Sequence, residues 1–398
     1  MNWRLPSWGS SCATLFVMLG GAWILSLPQA ASVAAALPIA AEEAAATIAA
    51  LKPPKRRRPL IAIIGLNEST ETTDYLMPFG ILQRADVADV VALAMEPRVV
   101  TLYPALTVEP QATVADFDAQ HPEGADYVIV PAMSRDDDPA VLGWLTRQAA
   151  TGAMIIGVCS GALVVGNAGL LDGKRATTHW YYREKLRDRH PTIHYVADRR
   201  LVVDLGVATT TGITASMPMM LTLIEAIAGR DRADAVGRDL GLANRDARHD
   251  SDAFTFTRPF ALAAIGNALA LWNREQLGMA LSPGVDEVSL ALVLDAWSRT
   301  YRSRASTFAR TGGALPARGG IRIVPDRVAM GWPAERLLPP IGSQRPAQAL
   351  DEALRMISTR YGVRTGDLVA LQLEYPGPRD AAGGDVRHAR APIGQRRH

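Results

Sequence analysis

Only two cysteines occur in the 398 residues, Cys12 and Cys159, and neither belongs to a C-x-x-C pair or a Cys/His cluster. That excludes a disulfide framework, and no structural zinc or other metal site is expected. Charge of one sign is also lacking. The formal net charge is +2, too small to point to a nucleic-acid partner. Hydrophobic residues make up 48% and charged residues 21%, as in ordinary globular proteins. The length allows one large domain or two modest ones.

A further absence is local. No charged residue stands between Leu5 and Ala41. The most apolar part, ATLFVMLGGAWILSL over 13–27, follows Arg4 and precedes Pro28 and the small residues Ala34, Ala35 and Ala36. This order of basic start, short apolar run and A-x-A-like site reads as a signal peptide. The uncharged stretch as a whole is long enough for a spanning helix of roughly 20 residues, and the basic run KPPKRRR over 52–58 suits the cytoplasmic flank of an uncleaved anchor. Residues 1–40 are therefore expected to export the protein or to anchor it in a membrane, with the side of the membrane open. Cys12 precedes the apolar run, unlike a lipidated cysteine of exported proteins.

After an Ala-rich segment and basic linker (41–58), the pattern becomes that of an α/β domain. Leu60 to Leu66 is a continuous apolar run, suited to a strand buried on both faces. A helix is expected from about Asp74 to Ala85, then strands at Val99–Tyr103 and Tyr127–Pro131. A helix over Pro139–Thr151, a strand over Met154–Cys159 and a helix over Gly161–Ala168 follow. Short strands at 195–197, 201–205 and 208–211 close the domain, with helices at 217–228 and 233–240. Such alternation implies a doubly wound parallel sheet with helices on both faces. From about 245 to 375 the reading is mixed. Helices are expected over Phe260–Ala280, Val285–Tyr301 and Ala347–Tyr361, and strands over Ser306–Arg310 and Ile321–Val324. The order of elements there is like that of residues 74–118, a possible degenerate half repeat. Residues 376–398 are rich in Pro, Gly, Arg and His and are expected to be disordered.

One turn carries chemistry. Residues 157–161 read G-V-C-S-G, between an expected strand and an expected helix, which is the pattern of a nucleophile elbow. A sharp turn there holds Cys159 in a strained conformation. The N-terminus of the next helix would favour the thiolate, and the Ser160 N–H would be half of an oxyanion hole.

These residues resemble the ThiJ/PfpI superfamily, related to class I glutamine amidotransferases, and within it the sensor half of AraC-type regulators. The resemblance rests on IVPAM (129–133), IIGVCSGALVVGNAGLLDGKRATTHW (155–180) and TTTGITASMPMMLTLIEAIAG (209–229), and spans about 59–241. It implies a flavodoxin-like sheet, a reactive cysteine at Cys159, often a homodimer, and an acid from the loop after the first strand. Glu71 and Asp74 compete for that role, with Glu71 preferred as the thiol partner and Asp74 as cap or second acid. His179, in T-T-H-W, is the candidate base or proton carrier. Gly161, Thr211, Gly212 and Thr214 are candidate pocket residues. Where many members carry two glycines that supply the second oxyanion donor, Ala132 and Met133 stand here, and Ser160 replaces the histidine of the peptidase-like members.

Three functions are compatible with this reading. The first is a thiol-dependent hydrolase or hydratase acting on a small electrophile. The second is a small-molecule or redox sensor without a recognisable DNA-binding module. In the third, the C-terminal half binds a membrane partner and the cysteine is vestigial. No cofactor is implied. The expected partners are a small molecule and, through the N-terminus, a membrane.

Overall fold

The computed structural model describes residues 22–29, 36, 38–242 and 247–375. Cys12, most of the apolar N-terminal run and the tail beyond 375 lie outside them. Among the described residues no helix is long and apolar enough to cross a membrane.

In chain order the first elements are α1 (Ala41–Ala50), β1 (Leu60–Gly65), β2 (Glu68–Glu71), α2 (Thr72–Ala85), β3 (Asp89–Ala94), β4 (Val100–Tyr103), β5 (Thr107–Glu109), β6 (Ala112–Thr113), α3 (Val114–Gln120) and β7 (Tyr127–Val130). Then come α4 (Pro139–Ala150), β8 (Met154–Gly157), α5 (Gly161–Asn167), β9 (Arg175–Ala176), α6 (Arg183–Arg189), β10 (His194–Tyr195), β11 (Leu201–Asp204), β12 (Val207–Thr210), α7 (Ser216–Ala228) and α8 (Arg230–Leu240). The C-terminal part holds α9 (Arg258–Leu269), β13 (Glu275–Ala280), α10 (Glu287–Ser298), β14 (Ser303–Ala309), β15 (Leu315–Pro316), β16 (Arg322–Val324), β17 (Arg327–Val328), α11 (Pro346–Tyr361) and α12 (Val363–Gln372).

The central sheet runs β11-β12-β8-β7-β1-β3-β6. Every pair is parallel except β11 with β12. β1, β7 and β8 are buried throughout, as strands covered on both faces must be. On one face α2 and α7 bury Leu76, Phe79, Met220 and Leu223. On the other, α4 and α5 bury Trp144, Leu145 and Leu163. This is a doubly wound, flavodoxin-like sheet with helices on both faces, extended by further helices and strands.

Several expectations need correction. The run at 99–103 forms β4, but in a second sheet of order β15-β16-β5-β4-β2. The place beside β1 belongs to β3, to which the sequence reading assigns no element. Phe260–Ala280 is not one helix. It ends at Leu269, and Glu275–Ala280 is a strand parallel to β14. Gly278 leaves room for the Trp332 ring against this strand, since a Cβ there would lie 2.3 Å from it. The stretch 41–58 is no free linker. Its first part is a helix, and Arg56 donates to Asp126 Oδ2 at 2.7 Å while Lys55 Nζ donates to the carbonyls of Glu123 and Ala125, both at 2.8 Å. α12 was not expected. It follows α11 after the single residue Gly362.

The region after β13 follows the order of the region after β1. Leu60 and Glu275 begin the two strands, 215 positions apart (275 minus 60). The same interval separates the starts of α2 and α10, β4 and β15, β5 and β16, and β6 and β17. Pairings repeat with it: Val100↔Val108 with Leu315↔Ile323, and Leu93↔Ala112 with Phe308↔Arg327. The register of β1 on β3, Leu60↔Asp89, differs by one residue from that of β13 on β14, Glu275↔Ser303. β5 and β16 meet antiparallel with Val108 opposite Ile323, so two positions related by the interval face each other.

Candidate active site

The G-V-C-S-G segment forms the turn between β8 and α5. Cys159 has φ 57°, a left-handed conformation that costs a non-glycine residue on the order of 1 kcal/mol or more. What holds it there is close packing. A Cβ at Gly161 would lie 2.0 Å from the Val130 carbonyl oxygen, so only glycine lets α5 begin directly against β7. The Cys159 N–H donates to Thr210 Oγ1 at 3.0 Å, and Thr178 Oγ1 donates to the Cys159 carbonyl at 3.0 Å.

The two acids sit at the start of α2. Glu71 is its N-cap. Its Oε2 accepts the Asp74 N–H at 2.6 Å and the Thr73 hydroxyl at 2.8 Å, and its Oε1 accepts from Arg299 at 2.7 Å. Asp74 is fully buried. Its Oδ2 accepts the Ala132 N–H at 3.1 Å, while its Oδ1 has no hydrogen-bond partner. The sequence reading prefers Glu71 as thiol partner and Asp74 as cap or second acid; in the structure Glu71 is the cap, engaged on both oxygens, and Asp74 is the acid with an oxygen to spare. Ala132 offers its N–H to Asp74, so that N–H is not a vacant oxyanion donor.

Burial pushes the Asp74 carboxyl well above the usual carboxylate range, helped by the charge of Glu71. Burial and the charge of Asp295 push Glu71 up to about 7, against the pull of Arg299. The Cys159 thiol is also pushed well up, first by burial, then by the charges of Asp74, Glu71 and Glu374, against a hydrogen bond from the Ser160 N–H. These influences run against the thiolate that the sequence reading expects the helix N-terminus to favour. The sulfur is buried within the field of three acids, where one more negative charge is opposed. Burial thus works against the charged form of both the Cys159 thiol and the Asp74 carboxyl.

His179 is buried beside the elbow but is not free. Its Nδ1 accepts the Tyr181 N–H at 3.2 Å, and its Nε2 lies 3.0 Å from the Gln372 carbonyl. A carbonyl only accepts, so Nε2 carries the proton. Burial lowers its pKa, and it stays a neutral strut between the domain and α12. Thr211 donates its N–H to the Arg200 carbonyl at 2.9 Å and leaves its buried Oγ1 without a partner. Gly212 donates its N–H to Glu374 at 2.7 Å, and Thr214 Oγ1 donates to the Glu374 carbonyl at 2.8 Å.

Sequence reasoning missed Arg299, Asp295 and Glu374, all beyond the region of resemblance. Arg299 donates from Nε to both Asp295 oxygens, at 2.9 and 2.8 Å, and from Nη2 to Glu71. The i,i+4 acid–base pair on the apolar face of α10 was the one available signal. Glu374 accepts the N–H of Trp180 at 2.6 Å in addition to that of Gly212. Nothing in its local sequence marks it. Among the described residues no cluster of side chains suits a metal ion.

Residues 61–226 match the DJ-1/PfpI family. Isonitrile hydratase of Pseudomonas putida is 41% identical over 108 residues, 27% of this chain and 46% of that protein. The HTH-type transcriptional regulator CdhR of Pseudomonas aeruginosa is 33% identical over 112 residues, 28% of this chain and 33% of the regulator. The chain thus spans less than half the length of these curated relatives. Among solved structures, an AraC family transcriptional regulator from Pseudomonas putida is similar over 45% of this chain and 98% of its own, at 21% identity and a TM-score of 0.41.

Proposed function

From the premise that residues 61–226 are a DJ-1/PfpI family domain, we propose that it is a thiol-dependent hydratase or hydrolase for a small neutral electrophile, of which an isonitrile is the first to test. The observation that carries this is the pair of Cys159 and Asp74. Asp74 is a buried acid with one oxygen fixed by Ala132 and the other unpartnered; burial favours its neutral form, and its ionised form would oppose the thiolate more strongly than any other charge. The relative named isonitrile hydratase supplies the substrate class.

The chemistry needs no standing thiolate. The sulfur adds to the terminal carbon of R–N≡C as the Asp74 carboxyl protonates that carbon. The thiol proton replaces the one Asp74 gave up, leaving the thioimidate R–N=CH–S–Cys159. Water then adds to the carbon, the nitrogen takes a proton, and the C–S bond breaks to return the thiol and release R–NH–CHO. A neutral acid beside a neutral thiol suits this route, because no charge has to be desolvated before the reaction. Cys159 is 5% exposed, so the substrate enters by local opening.

The test is formamide formation from alkyl and aryl isonitriles, followed by NMR, with wild type, D74N and C159A. Turnover lost in both variants is the expected result. Turnover equal in C159A, or none in wild type with cysteine and fold intact, overturns the reading. A ligand-sensing role is the second reading, favoured by His179, whose two nitrogens are both engaged and which therefore transmits position rather than protons. The apolar N-terminal run would export or anchor the domain, which fractionation of a C-terminal reporter fusion tests.

A further inference from the structure

The 215-residue interval extends beyond the strands. Glu71 caps α2 by accepting the Asp74 N–H, and Asp286 caps α10 by accepting the Ser289 N–H at 2.8 Å. Glu71 and Asp286 are separated by that same interval, as are Asp74 and Ser289. It also separates Arg84, at the end of α2, from Arg299, which follows α10. Each arginine crosses to the other helix: Arg299 bonds the cap Glu71, and Arg84 bonds the cap Asp286. The ion pairs are mirror images about the contact of the two helices. Further along, α7 and α8 meet at Gly229 (φ 87°, ψ 168°), and α11 and α12 meet at Gly362 (φ 92°, ψ 154°). What differs lies between. Residues 114–215, which hold β7, β8 and the cysteine elbow, have only 329–345 in the corresponding place.

We propose that residues 275–372 are a second, shortened copy of the family domain, which packs on the first as a built-in partner and supplies Arg299 as a positioning residue for the first copy's thiol site. The copy has lost its own elbow and carries Ser289 where the first has Asp74, so one site per chain remains. Its packing covers α2 and β5, the elements through which another copy would have to dock by the same geometry. Arg299 fixes the Glu71 carboxylate on the side away from Asp74. Glu71 in turn holds the Asp74 N–H, and so sets where the Asp74 carboxyl lies relative to Cys159. The charged groups acting on Glu71 are Asp74, Asp295 and Arg299.

Arg84 is the internal control. It makes the mirror-image contact where there is no thiol. The role given to Arg299 rests on the thiol reading above, but alkylation needs no substrate, so failure of the hydration assay leaves this test standing. In the full chain, R299Q and R84Q are expected to lower the melting temperature by similar amounts. Only R299Q is expected to move the midpoint of Cys159 alkylation by iodoacetamide against pH, by half a unit or more, with R299K restoring part of the shift. Should R299Q fail to fold, R299K alone carries the test, since it keeps the charge without the two-nitrogen fork. Superimposable profiles for wild type and the Arg299 variant, or an equal shift in R84Q, overturn the role of Arg299. Light scattering is expected to give the mass of one chain, and a stable homodimer overturns the built-in partner.

Discussion

Gly212 donates its backbone N–H to the carboxylate of Glu374 at 2.7 Å, and the same side chain fills the space a Cβ on Gly212 would need. The built Cβ would stand 2.6 Å from Cβ and Cγ and 2.7 Å from Cδ of Glu374. Gly212 has φ −70°, so alanine there meets no backbone strain, only this contact. G212A is therefore expected to destabilise the chain by about 1–3 kcal/mol, the usual cost of overpacking. E374A also destabilises, because it leaves two buried N–H groups, those of Trp180 and Gly212, without an acceptor. In the double variant G212A/E374A the clash is gone. Its loss should be smaller than the sum of the single losses, by about 1 kcal/mol or more in a double-mutant cycle read by urea denaturation. Additive losses would mean that Glu374 does not sit against Gly212.

Cys159 is expected to react slowly with iodoacetamide at pH 7, with a midpoint above that of an ordinary free thiol, because burial and three nearby acids oppose the thiolate. D74N removes the acid whose ionised form opposes the thiolate most, while keeping the size of the side chain. Its midpoint should fall, and its rate at pH 9 should rise about threefold or more, the effect of roughly half a pKa unit or greater. A D74N profile equal to that of wild type would place Asp74 outside the field of the sulfur.

The site was partly legible in the sequence because the elbow is local. Glycines at 157 and 161 flank a nucleophile over five residues, and the close approach of Gly161 to β7 makes that pattern compulsory. The acids were legible as a pair but not in their roles. Whether Glu71 or Asp74 caps α2 depends on where the helix begins, and it begins at Thr72 rather than Asp74. Arg299, the partner of Glu71, and Asp295, the partner of Arg299, lie more than 200 residues from Glu71 along the chain, where no local period reveals them. β13 was misread for a related reason. Its Gly278 and the apolar stretch before it resemble the end of a long helix, and only the Trp332 ring explains the glycine. The likeness between the regions after β1 and after β13 is read from the order of elements, but their residues share too little for pattern alone to fix the interval.

Stability should depend on pH through Glu71. Its carboxyl is pushed up to about 7 in the folded chain, by burial and then by the charge of Asp295, from an ordinary value of 4.5. The folded state therefore binds this proton more tightly than the unfolded state. The stability so contributed is fully present below about pH 4.5 and is lost as pH rises through about 7, a change on the order of 2–3 kcal/mol. E71Q cannot titrate, and its unfolding free energy should vary less over that window. Equal slopes in wild type and E71Q, from urea melts at pH 4.5, 6 and 7.5, would show that Glu71 is already ionised when folded.

The basic stretch before β1 is held by one buried acid. Asp126 accepts the backbone N–H of Lys55 at 3.0 Å, of Arg56 at 2.9 Å and of Leu60 at 2.9 Å, and pairs with the Arg56 guanidinium at 2.7 Å. D126A removes every one of these acceptors. The Leu60 N–H is then left buried without a partner, at a cost of about 1–3 kcal/mol. The Lys55–Arg57 segment loses its anchor to the domain. Trypsin should cut D126A after Lys55, Arg56 or Arg57 under native conditions, at least tenfold faster than wild type. Cleavage after Arg58 should stay slow, because Pro59 follows it. A D126A chain as resistant there as wild type would mean that the lysine and its neighbours are held by their side-chain contacts alone, chiefly those of Lys55 with the Glu123 and Ala125 carbonyls and of Arg58 with Asp86 and Asp89.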